Sequence, residues 1–247
     1  MVLTEYLKVI VKFLQTQVTK TNSKGLIVGL SGGIDSAVVA LLMKEAFPNN
    51  HLCVILPCQS DPIDVEYAQK LVSTHDLRSQ IVDLTSTFNT FKTTINSSLN
   101  SEKSQLVLGN IKARLRMTTL YALGQNENYL VVGTDNADER HIGYFTKYGD
   151  GGVDLLPIIH LLKQDVINSA KLLGVIPEII ARKPTASLFP GQTDESEMQF
   201  KYQQLDQYLL GNKTGIPNDV ITRIETMHKN SEHKRVPLPQ APKWNRK

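Results

Sequence analysis

The feature that most constrains the fold is a short glycine-rich turn between an apolar run and a helix-forming stretch. The apolar run covers Leu26–Leu30, and Ser31 and two glycines follow it before the helix-forming segment Ser36–Phe47 begins. A short apolar run bounded by such turn residues is typical of a buried strand. A buried strand that leads through a short turn into a helix predicts an α/β unit, in which helices cover the sheet.

The same alternation of strand and helix candidates continues along the chain. The further strand candidates are Leu52–Leu56, Gln80–Asp83 and Tyr129–Gly133. Helices are predicted over the amphipathic N-terminal segment and over Asp64–Ser73, Leu106–Leu123, His160–Leu173, Glu195–Leu210 and Asn218–Lys229. This order predicts an α/β fold, a Rossmann-like doubly wound parallel sheet with helices on both faces. We expect a single domain over residues 1–247, with a helical C-terminal part from about residue 195 and a basic tail over 229–247.

The composition excludes several other classes of protein. The 247 residues are 41% hydrophobic and 21% charged, which is close to the globular average and excludes wholesale disorder. Because no run of about 18 apolar residues is present, no membrane partner is expected. Cys53 and Cys58 match neither a C-x-x-C redox pair nor half of a zinc site. Free thiols, with an N-terminal helix that carries charged residues, indicate a cytoplasmic protein.

The positive charge of the chain is concentrated at its C-terminus. The formal net charge is +3, but the stretch Thr226–Lys247 carries six basic residues and one acidic residue. That stretch therefore contributes +5, which leaves −2 for residues 1–225. A slightly acidic body gives no support to a nucleic-acid partner.

The turn over Gly29–Ser36, with the sequence G-L-S-G-G-I-D-S, has the chemistry of a phosphate-binding loop. Two glycines let the backbone approach an anion, Ser31 and Ser36 add hydroxyl groups, and the helix N-terminus supplies free N–H groups. Asp35 would repel a bare phosphate, so the loop predicts a Mg²⁺ ion between this carboxylate and the phosphates. An ordinary strand-to-helix turn with a polar cap is the alternative interpretation.

A second polar cluster, V-G-T-D-N-A-D-E over residues 132–139, follows the fourth strand candidate. In parallel sheets ligands bind outside the carboxyl ends of the strands, which is where this cluster would lie. Glu139 can complete a Mg²⁺ site with Asp35. Surface charges or a helix cap are the alternative interpretation of each carboxylate taken alone.

Three further segments are candidates for ligand contacts. Residues 143–154 form a glycine-rich stretch with interleaved aromatic and charged side chains, which favours a binding loop over a solvated turn. Arg114 and Arg116 lie two apart on a predicted helix and face differently, so that one can point to an anionic ligand while the other is exposed. Residues 183–195 fit either a mobile lid or a capped connection.

Taken together, these segments resemble the ammonia-dependent NAD synthetase family, within the N-type ATP pyrophosphatase superfamily. The motifs appear in family order between Gly29 and Arg235: S-G-G-I-D-S, N-I-K-A-R-L-R-M, G-T-D-N-A-D-E, G-Y-F-T-K-Y-G-D-G-G, P-T-A-S-L-F-P-G-Q-T-D-E and H-K-R. The resemblance implies an adenine nucleotide alpha hydrolase-like fold and an AMP-forming carbon–nitrogen ligase that completes NAD biosynthesis. ATP would adenylate the nicotinate carboxylate of deamido-NAD⁺ with loss of pyrophosphate, and ammonia would displace AMP to give NAD⁺.

The resemblance also implies roles for individual residues. Asp35 and Glu139 would bind Mg²⁺ and, with Lys163, would be catalytic. The implied ATP contacts are Gly29, Leu30, Ser31, Gly32, Gly33, Ile34, Asp35, Ser36, Thr134, Lys163 and Thr185. The implied deamido-NAD⁺ contacts are Arg114, Lys147, Asp154, His233 and Lys234. The resemblance further implies a homodimer with the dinucleotide site at its interface, a loop over 183–195 that orders on binding, and free ammonia as the nitrogen source.

Two alternative functions stay open at this point. Another pyrophosphatase-type adenylating ligase, such as a tRNA-modifying enzyme, shares the first motif, but the thiolating members would need a catalytic cysteine pair and a basic body. A non-catalytic nucleotide sensor could keep the phosphate loop. The acidic pair Asp35 and Glu139 counts against a sensor, because nucleotide binding alone needs no paired metal ligands.

Overall fold

The core of the molecule is a parallel sheet of four strands. The structure, a computed structural model, describes residues 1–99, 104–185 and 193–244. The strands are β1 (Gly25–Gly29), β2 (His51–Ile55), β3 (Ser79–Ile81) and β4 (Tyr129–Val132), in the order β3-β2-β1-β4. All three strand pairs are parallel, and β1 pairs with β2 on one side and with β4 on the other.

Helices follow and cover the strands. They are α1 (Leu3–Lys20), α2 (Ile34–Ala46), α3 (Pro62–His75), α4 (Thr85–Ile95), α5 (Ser104–Glu127), α6 (Ala137–Ile142), α7 (Lys163–Leu172), α8 (Pro177–Ala181), α9 (Asp194–Met198), α10 (Tyr202–Leu209) and α11 (Asn218–Asn230). Short 3₁₀ turns cover Asn96–Ser98 and Glu232–Lys234. Among the described residues, no helix is long and apolar enough to cross a membrane.

The alternation of side chains along each strand builds two cores, one on each face of the sheet. Leu26 and Val28 of β1 pack into a core with α1, α2, α3, α7 and α8. Ile27, between them, points to the other face, where α4 and α5 provide the packing partners. Because successive strand residues face opposite ways, an unbroken apolar run indicates a strand that is covered on both faces. The predicted Rossmann-like sheet with helices on both faces is confirmed.

The point where the strand order reverses lies between β1 and β4. The chain leaves β1 toward β2 on one side of the sheet and later returns to β4 on the other side. The loops after these two strands therefore diverge and leave a crevice at their carboxyl ends. Both polar motifs predicted from the sequence, 29–36 and 132–139, begin at this crevice.

Some element predictions were wrong in their bounds. The predicted helix Glu195–Leu210 is two helices, α9 and α10, because Gln199 adopts a left-handed backbone conformation with a φ of 65° between them. The predicted helix His160–Leu173 begins only at Lys163. Three helices, α4, α6 and α8, were missed. Two of them are shorter than two turns, and α4 is rich in threonine, a poor helix former.

Candidate active site

A cleft of about 280 Å³ opens at the carboxyl ends of β1 and β4. Its walls come from the phosphate-type loop after β1, the segment after β4, the N-terminus of α7 and the end of α8. Most of the predicted ATP and metal residues line it: Gly29, Leu30, Ser31, Gly33, Ile34, Asp35, Ser36, Thr134, Glu139, Lys163 and Thr185. Residues that are distant in sequence thus share one concave site, which is the usual form of a ligand pocket.

The loop 29–36 is held by its own serines and by the backbone of α3. The Ser31 and Ser36 hydroxyl oxygens lie 3.0 Å apart, and Ser36 Oγ donates to the Gly33 carbonyl at 2.9 Å. Gly32 has a φ of +79°, and a Cβ there would lie 2.3 Å from the Asp64 carbonyl oxygen. Only glycine fits this position, since the backbone is left-handed and the space beside it is filled.

Lys163 joins the two carboxylates that were predicted as metal ligands. Its ammonium nitrogen lies 2.6 Å from Asp35 Oδ2 and 3.3 Å from Glu139 Oε1. The Lys163 side chain is 4% exposed, and those of Asp35 and Glu139 are 17% and 16% exposed. Burial opposes the charged form of Lys163, but the two carboxylates outweigh this and raise its pKa. The ammonium therefore stays charged and partly neutralises the pair.

Asn136 holds both carboxylates from the start of α6. Its side-chain nitrogen donates to Asp35 Oδ1 at 2.9 Å, and its side-chain oxygen accepts the Glu139 backbone N–H at 3.0 Å. Glu139 Oε2 in turn accepts the Asn136 backbone N–H, which completes a capping box. Burial raises the pKa of Glu139 to about 7, the Lys163 ammonium opposes this shift, and the Asp35 carboxylate adds to it.

Tyr202 forms the floor beneath the Lys163 ammonium. The ammonium nitrogen lies 4.8 Å from the centre of the Tyr202 ring. The Tyr202 hydroxyl donates to Asp194 Oδ2 at 2.9 Å and lies 3.3 Å from Glu139 Oε1. Burial and these carboxylates raise the pKa of Tyr202, so the hydroxyl keeps its proton and remains a donor. Nothing in the sequence pattern marked Tyr202, because its partners lie far from it along the chain.

Two carboxyl groups from other helices cap the N-terminus of α7. The Lys163 backbone N–H lies 2.8 Å from Asp138 Oδ2 and 3.2 Å from Asp206 Oδ1, and the Gln164 N–H donates to Asp206 Oδ2 at 3.1 Å. Burial, together with the neighbouring Asp206, raises the pKa of Asp138 to about 8. Near neutral pH Asp138 is thus largely protonated, which limits the repulsion between the two carboxyl groups at this helix end.

Other charged residues also line the cleft, and the sequence analysis assigned none of Arg116, Asp64 and Arg182 among them to a site. Arg116, rather than Arg114, points into it, and its guanidinium donates to the Leu56 carbonyl at 3.1 Å and to Ser60 Oγ at 3.0 Å. Arg182 forms an ion pair with Asp64 beside the loop 29–36. The spacing of the two arginines was the one available signal, since it required them to face different ways.

The residues expected to contact deamido-NAD⁺ are not among the described residues that line this cleft. Arg114 donates to the Lys147 carbonyl at 3.2 Å, and the Lys147 ammonium donates to the His233 carbonyl at 2.8 Å, which brings these three residues together on the surface. The Lys234 ammonium donates to the Gly143 and Phe145 carbonyls, each at 2.6 Å. Asp154 accepts the Tyr121 hydroxyl at 3.0 Å and the Val131 N–H at 2.8 Å.

The donor set of the cleft fits a magnesium ion that is shared with a substrate. Among the described residues no group of three His, Cys, Asp or Glu side chains could hold a metal. Mg²⁺, however, takes oxygen ligands and is commonly held by one or two carboxylates plus substrate phosphates and water. The Asp35 and Glu139 carboxylates, bridged by one ammonium, provide such a pair.

Two predictions extend beyond the described residues. The predicted loop 183–195 includes residues 186–192, and the basic tail 229–247 includes residues 245–247. These stretches lie outside the part of the chain that the structure describes. Within it, the tail is less solvated than its composition suggests, because Lys234 packs over the Phe145 ring with 5.2 Å from its nitrogen to the ring centre.

The sequence and the fold are similar to those of known NAD synthetases. The family model described as NAD synthase matches residues 6–238. The chain is 50% identical over 235 residues to an NH(3)-dependent NAD(+) synthetase of Mesoplasma florum, covering 95% of both chains. It is 48% identical over 240 residues to the enzyme of the same name from Alkaliphilus oremlandii, again covering 95% of both.

Solved structures agree with this assignment. A structure of NMN synthetase from Francisella tularensis matches with a TM-score of 0.92 and 35% identity, covering 99% of this chain and 100% of that one. An NH3-dependent NAD synthetase from Campylobacter jejuni matches with a TM-score of 0.80 and 30% identity, covering 98% and 100%. The family model covers every described residue that lines the cleft, and the relatives match nearly the whole chain. The chain therefore belongs to the NAD synthase family.

Proposed function

We propose that this chain is an ATP-dependent ligase that converts deamido-NAD⁺ and ammonia into NAD⁺, AMP and pyrophosphate. The observation that carries the proposal is the meeting of Asp35, Glu139 and Lys163 beside the loop 29–36 in a member of this family. A carboxylate is a poor acyl donor until it is adenylated, and this grouping supplies charge where ATP phosphates would lie.

The reaction takes place in two transfers. A nicotinate carboxylate oxygen attacks the α-phosphorus of ATP, and the bond to the bridging oxygen breaks, so that pyrophosphate leaves with the electron pair. Ammonia then attacks the acyl carbon, AMP leaves, and the nitrogen loses a proton to give the amide. The side chains of the cleft orient the reactants and stabilise charge, so that no nucleophilic side chain is required.

Within this scheme each part of the cleft has a separate task. The loop 29–36 would hold the phosphates, with Thr134 and Thr185 as further ATP contacts on the cleft wall. Lys163, which stays charged, would stabilise negative charge on the departing pyrophosphate. Asp35 and Glu139 would bind Mg²⁺, which neutralises phosphate charge when it is bound.

The surface group of Arg114, Lys147 and His233 is proposed, with Asp154 and Lys234, to contact the dinucleotide. The proposal includes a homodimer in which two chains complete the dinucleotide site at a twofold interface, and the exposed positions of Arg114 and His233 support a contact with a second chain. Sedimentation at micromolar concentration should then give about twice the 27.6 kDa of one chain. A persistent monomer would contradict the shared site. A cytoplasmic location is part of the same proposal.

One assay tests the reaction directly. Purified protein is incubated with ATP, Mg²⁺, deamido-NAD⁺ and ammonium, and NAD⁺, AMP and pyrophosphate are measured. We expect the three products in equal amounts. ADP in place of AMP would contradict adenylation, and binding of ATP without product at any ammonium concentration would favour a nucleotide sensor.

The magnesium ligands are tested with Asp35→Asn, which removes the charge and keeps the shape. Turnover should fall by about 100-fold or more, and the affinity for Mn²⁺ in the presence of ATP, measured by electron paramagnetic resonance, should fall with it. Glu45→Gln is the matched control, since Glu45 is exposed on the same helix, α2. Unchanged Mn²⁺ affinity in Asp35→Asn would place the metal elsewhere.

Nicotinate mononucleotide is a second candidate substrate. The observation that favours it is the higher TM-score with the NMN synthetase of Francisella tularensis, 0.92, than with the NAD synthetase of Campylobacter jejuni, 0.80. Both acids carry the same nicotinate carboxylate, so the adenylation chemistry is unchanged. The ratio of kcat/KM for the two acids, measured with the same enzyme, decides between them.

A further inference from the structure

One face of α10 contacts both the side-chain ammonium and the backbone N–H of Lys163. Tyr202 and Asp206 lie four residues apart on this helix, so their side chains share a face. The Tyr202 ring lies 4.8 Å beneath the Lys163 ammonium, and the Asp206 carboxylate accepts the backbone N–H groups of Lys163 and Gln164 at 3.2 and 3.1 Å. We propose that Tyr202 and Asp206 are positioning residues that hold Lys163 in the cleft for ATP.

The backbone contact matters because α7 supplies no side-chain acceptor for its first N–H groups; its own Asp165 accepts only the N–H of the residue that precedes the helix, at 3.2 Å. Its N-cap residue is Leu162, whose side chain cannot accept a hydrogen bond, and Lys163 is the first residue of the helix. The first N–H groups of a helix lack partners within it and need acceptors from elsewhere. Asp206 satisfies two of them across 43 and 42 residues of sequence, and Asp138 accepts the Lys163 N–H as well. The place where α7 begins, and with it the backbone of Lys163, thus depends on α10 together with α6.

The ammonium contact completes the arrangement. A lysine side chain is a flexible four-carbon chain. The position of its ammonium is therefore fixed only if the surroundings leave one favourable place for it. Asp35 and Glu139 attract the ammonium by their charge, and the face of the Tyr202 ring adds a cation–π contact at 4.8 Å. Asp194, which accepts the Tyr202 hydroxyl, fixes the ring in turn. Asp206 does not line the cleft itself, so it would influence the cleft only through the position of Lys163.

This inference rests on the ATP contact of Lys163 in the proposed function, and a double-mutant cycle separates the two. The dissociation constant of Mg-ATP is measured by calorimetry, without deamido-NAD⁺ or ammonium, for four proteins: wild type, Asp206→Ala, Lys163→Met and the double variant. Since no turnover occurs, the result does not depend on which acid the enzyme amidates.

We expect Asp206→Ala to raise the dissociation constant about fivefold, as if Lys163 were correctly placed about one fifth of the time. In the Lys163→Met background the same substitution should have no further effect, because there is no ammonium left to position. Equal weakening in both backgrounds would overturn the proposal, since Asp206 would then act independently of Lys163. Unchanged affinity in Lys163→Met would overturn the ATP contact itself, and the proposal with it.

Two further variants guard against a general loss of structure. Asp206→Asn keeps one acceptor at the α7 N-terminus, so its dissociation constant should lie between those of wild type and Asp206→Ala. It also keeps the test available if the alanine variant does not fold. Asp219→Asn makes the same charge change at an exposed position of α11 and should bind Mg-ATP as wild type does. If Asp219→Asn raised the dissociation constant of Mg-ATP as much as Asp206→Asn does, the proposal would be overturned.

Discussion

At the scale of single residues, Gly32 shows how one backbone position shapes the phosphate-type loop. Its left-handed φ of +79° turns the chain into α2, and its missing side chain lets α3 approach through the Asp64 carbonyl. Asp64 is also held by Arg182, so the loop, α3 and the end of α8 meet at this point. The conformation of the loop therefore depends on packing as well as on its own hydrogen bonds.

We predict that Gly32→Ala lowers the free energy of unfolding by about 3 kcal/mol or more, because left-handed strain and a backbone clash add together. Gly211→Ala is the matched control. It has the same φ of +79°, but a Cβ there would meet no atom within 4 Å. The control should lose only about 1–2 kcal/mol. Urea unfolding of the three proteins measures both effects, and equal losses would show that the contact with Asp64 is unimportant.

The sequence predicted a glycine turn here, but it did not show which of the two glycines has the left-handed backbone that excludes other residues. The turn follows from S-G-G between an apolar run and a helix-forming segment, which is local information. A side chain at Gly32 would clash with the carbonyl of Asp64, which lies on the next helix of the chain, α3. This contact exists only in the folded structure. For the same reason Arg116, Asp64 and Arg182 were not assigned to the cleft.

At the scale of elements, α6 is six residues long and yet it determines where both metal-ligand candidates lie. Its N-cap residue Asn136 is fully buried and bonds to Asp35 on α2 and to Glu139 within the helix. A helix this short has too few turns for a periodic pattern, so the sequence revealed only its cluster of polar residues. The break at Gln199 was missed because no glycine marks it.

We predict that Asn136→Asp lowers kcat/KM about tenfold or more, while the protein remains folded. Aspartate keeps the acceptor for the Glu139 N–H, but it replaces the amide that donates to Asp35 with a second carboxylate, which repels it. Steady-state kinetics and a thermal melt measure the two effects. Asn218→Asp, an exposed change at the start of α11, is the control. Wild-type kcat/KM in Asn136→Asp would show that Asp35 needs no such donor.

At the scale of the whole molecule, the strand order brings distant residues together. Asp35 and Asn136 are 101 residues apart, and Asp35 and Lys163 are 128 apart, yet each pair is in hydrogen-bond contact at the crevice between β1 and β4. The alternation of strands and helices was sufficient to predict this edge of the sheet as the site. It could not predict that an ammonium bridges the two carboxylates, because that depends on where α10 and α7 pack.

The molecule also contains a buried histidine that ties its stability to pH. His51, at the start of β2, is 1% exposed. Its Nδ1 donates to the Phe47 carbonyl at 2.9 Å, and its Nε2 accepts the Arg78 backbone N–H at 3.1 Å. Both nitrogens are occupied in the neutral form, and a second proton would break the bond from Arg78. Burial lowers the pKa of His51, and the charges of Lys44 and Arg78 act in the same direction.

The lowered pKa of His51 determines the sign of its effect on stability. An unfolded histidine has a pKa of about 6.5, so between that value and the lower folded pKa the unfolded chain binds more protons. The contribution of His51 is therefore fully present above about pH 7 and is lost as the pH falls below about 6.5. We expect the free energy of unfolding to fall less between about pH 7.5 and about pH 5.5 in His51→Gln than in the wild type.

Urea unfolding at the two pH values measures this difference, and each variant is compared with itself, so that the constant cost of replacing a buried ring cancels. His160→Gln is the control because His160 is exposed, and it should keep the pH dependence of the wild type. Other groups, such as Glu139 with its raised pKa, act in the opposite direction over this range but are common to all three proteins. A pH dependence in His51→Gln equal to that of the wild type would contradict the prediction, since protonation of the ring would then cost the folded state nothing in spite of the lost bond from Arg78.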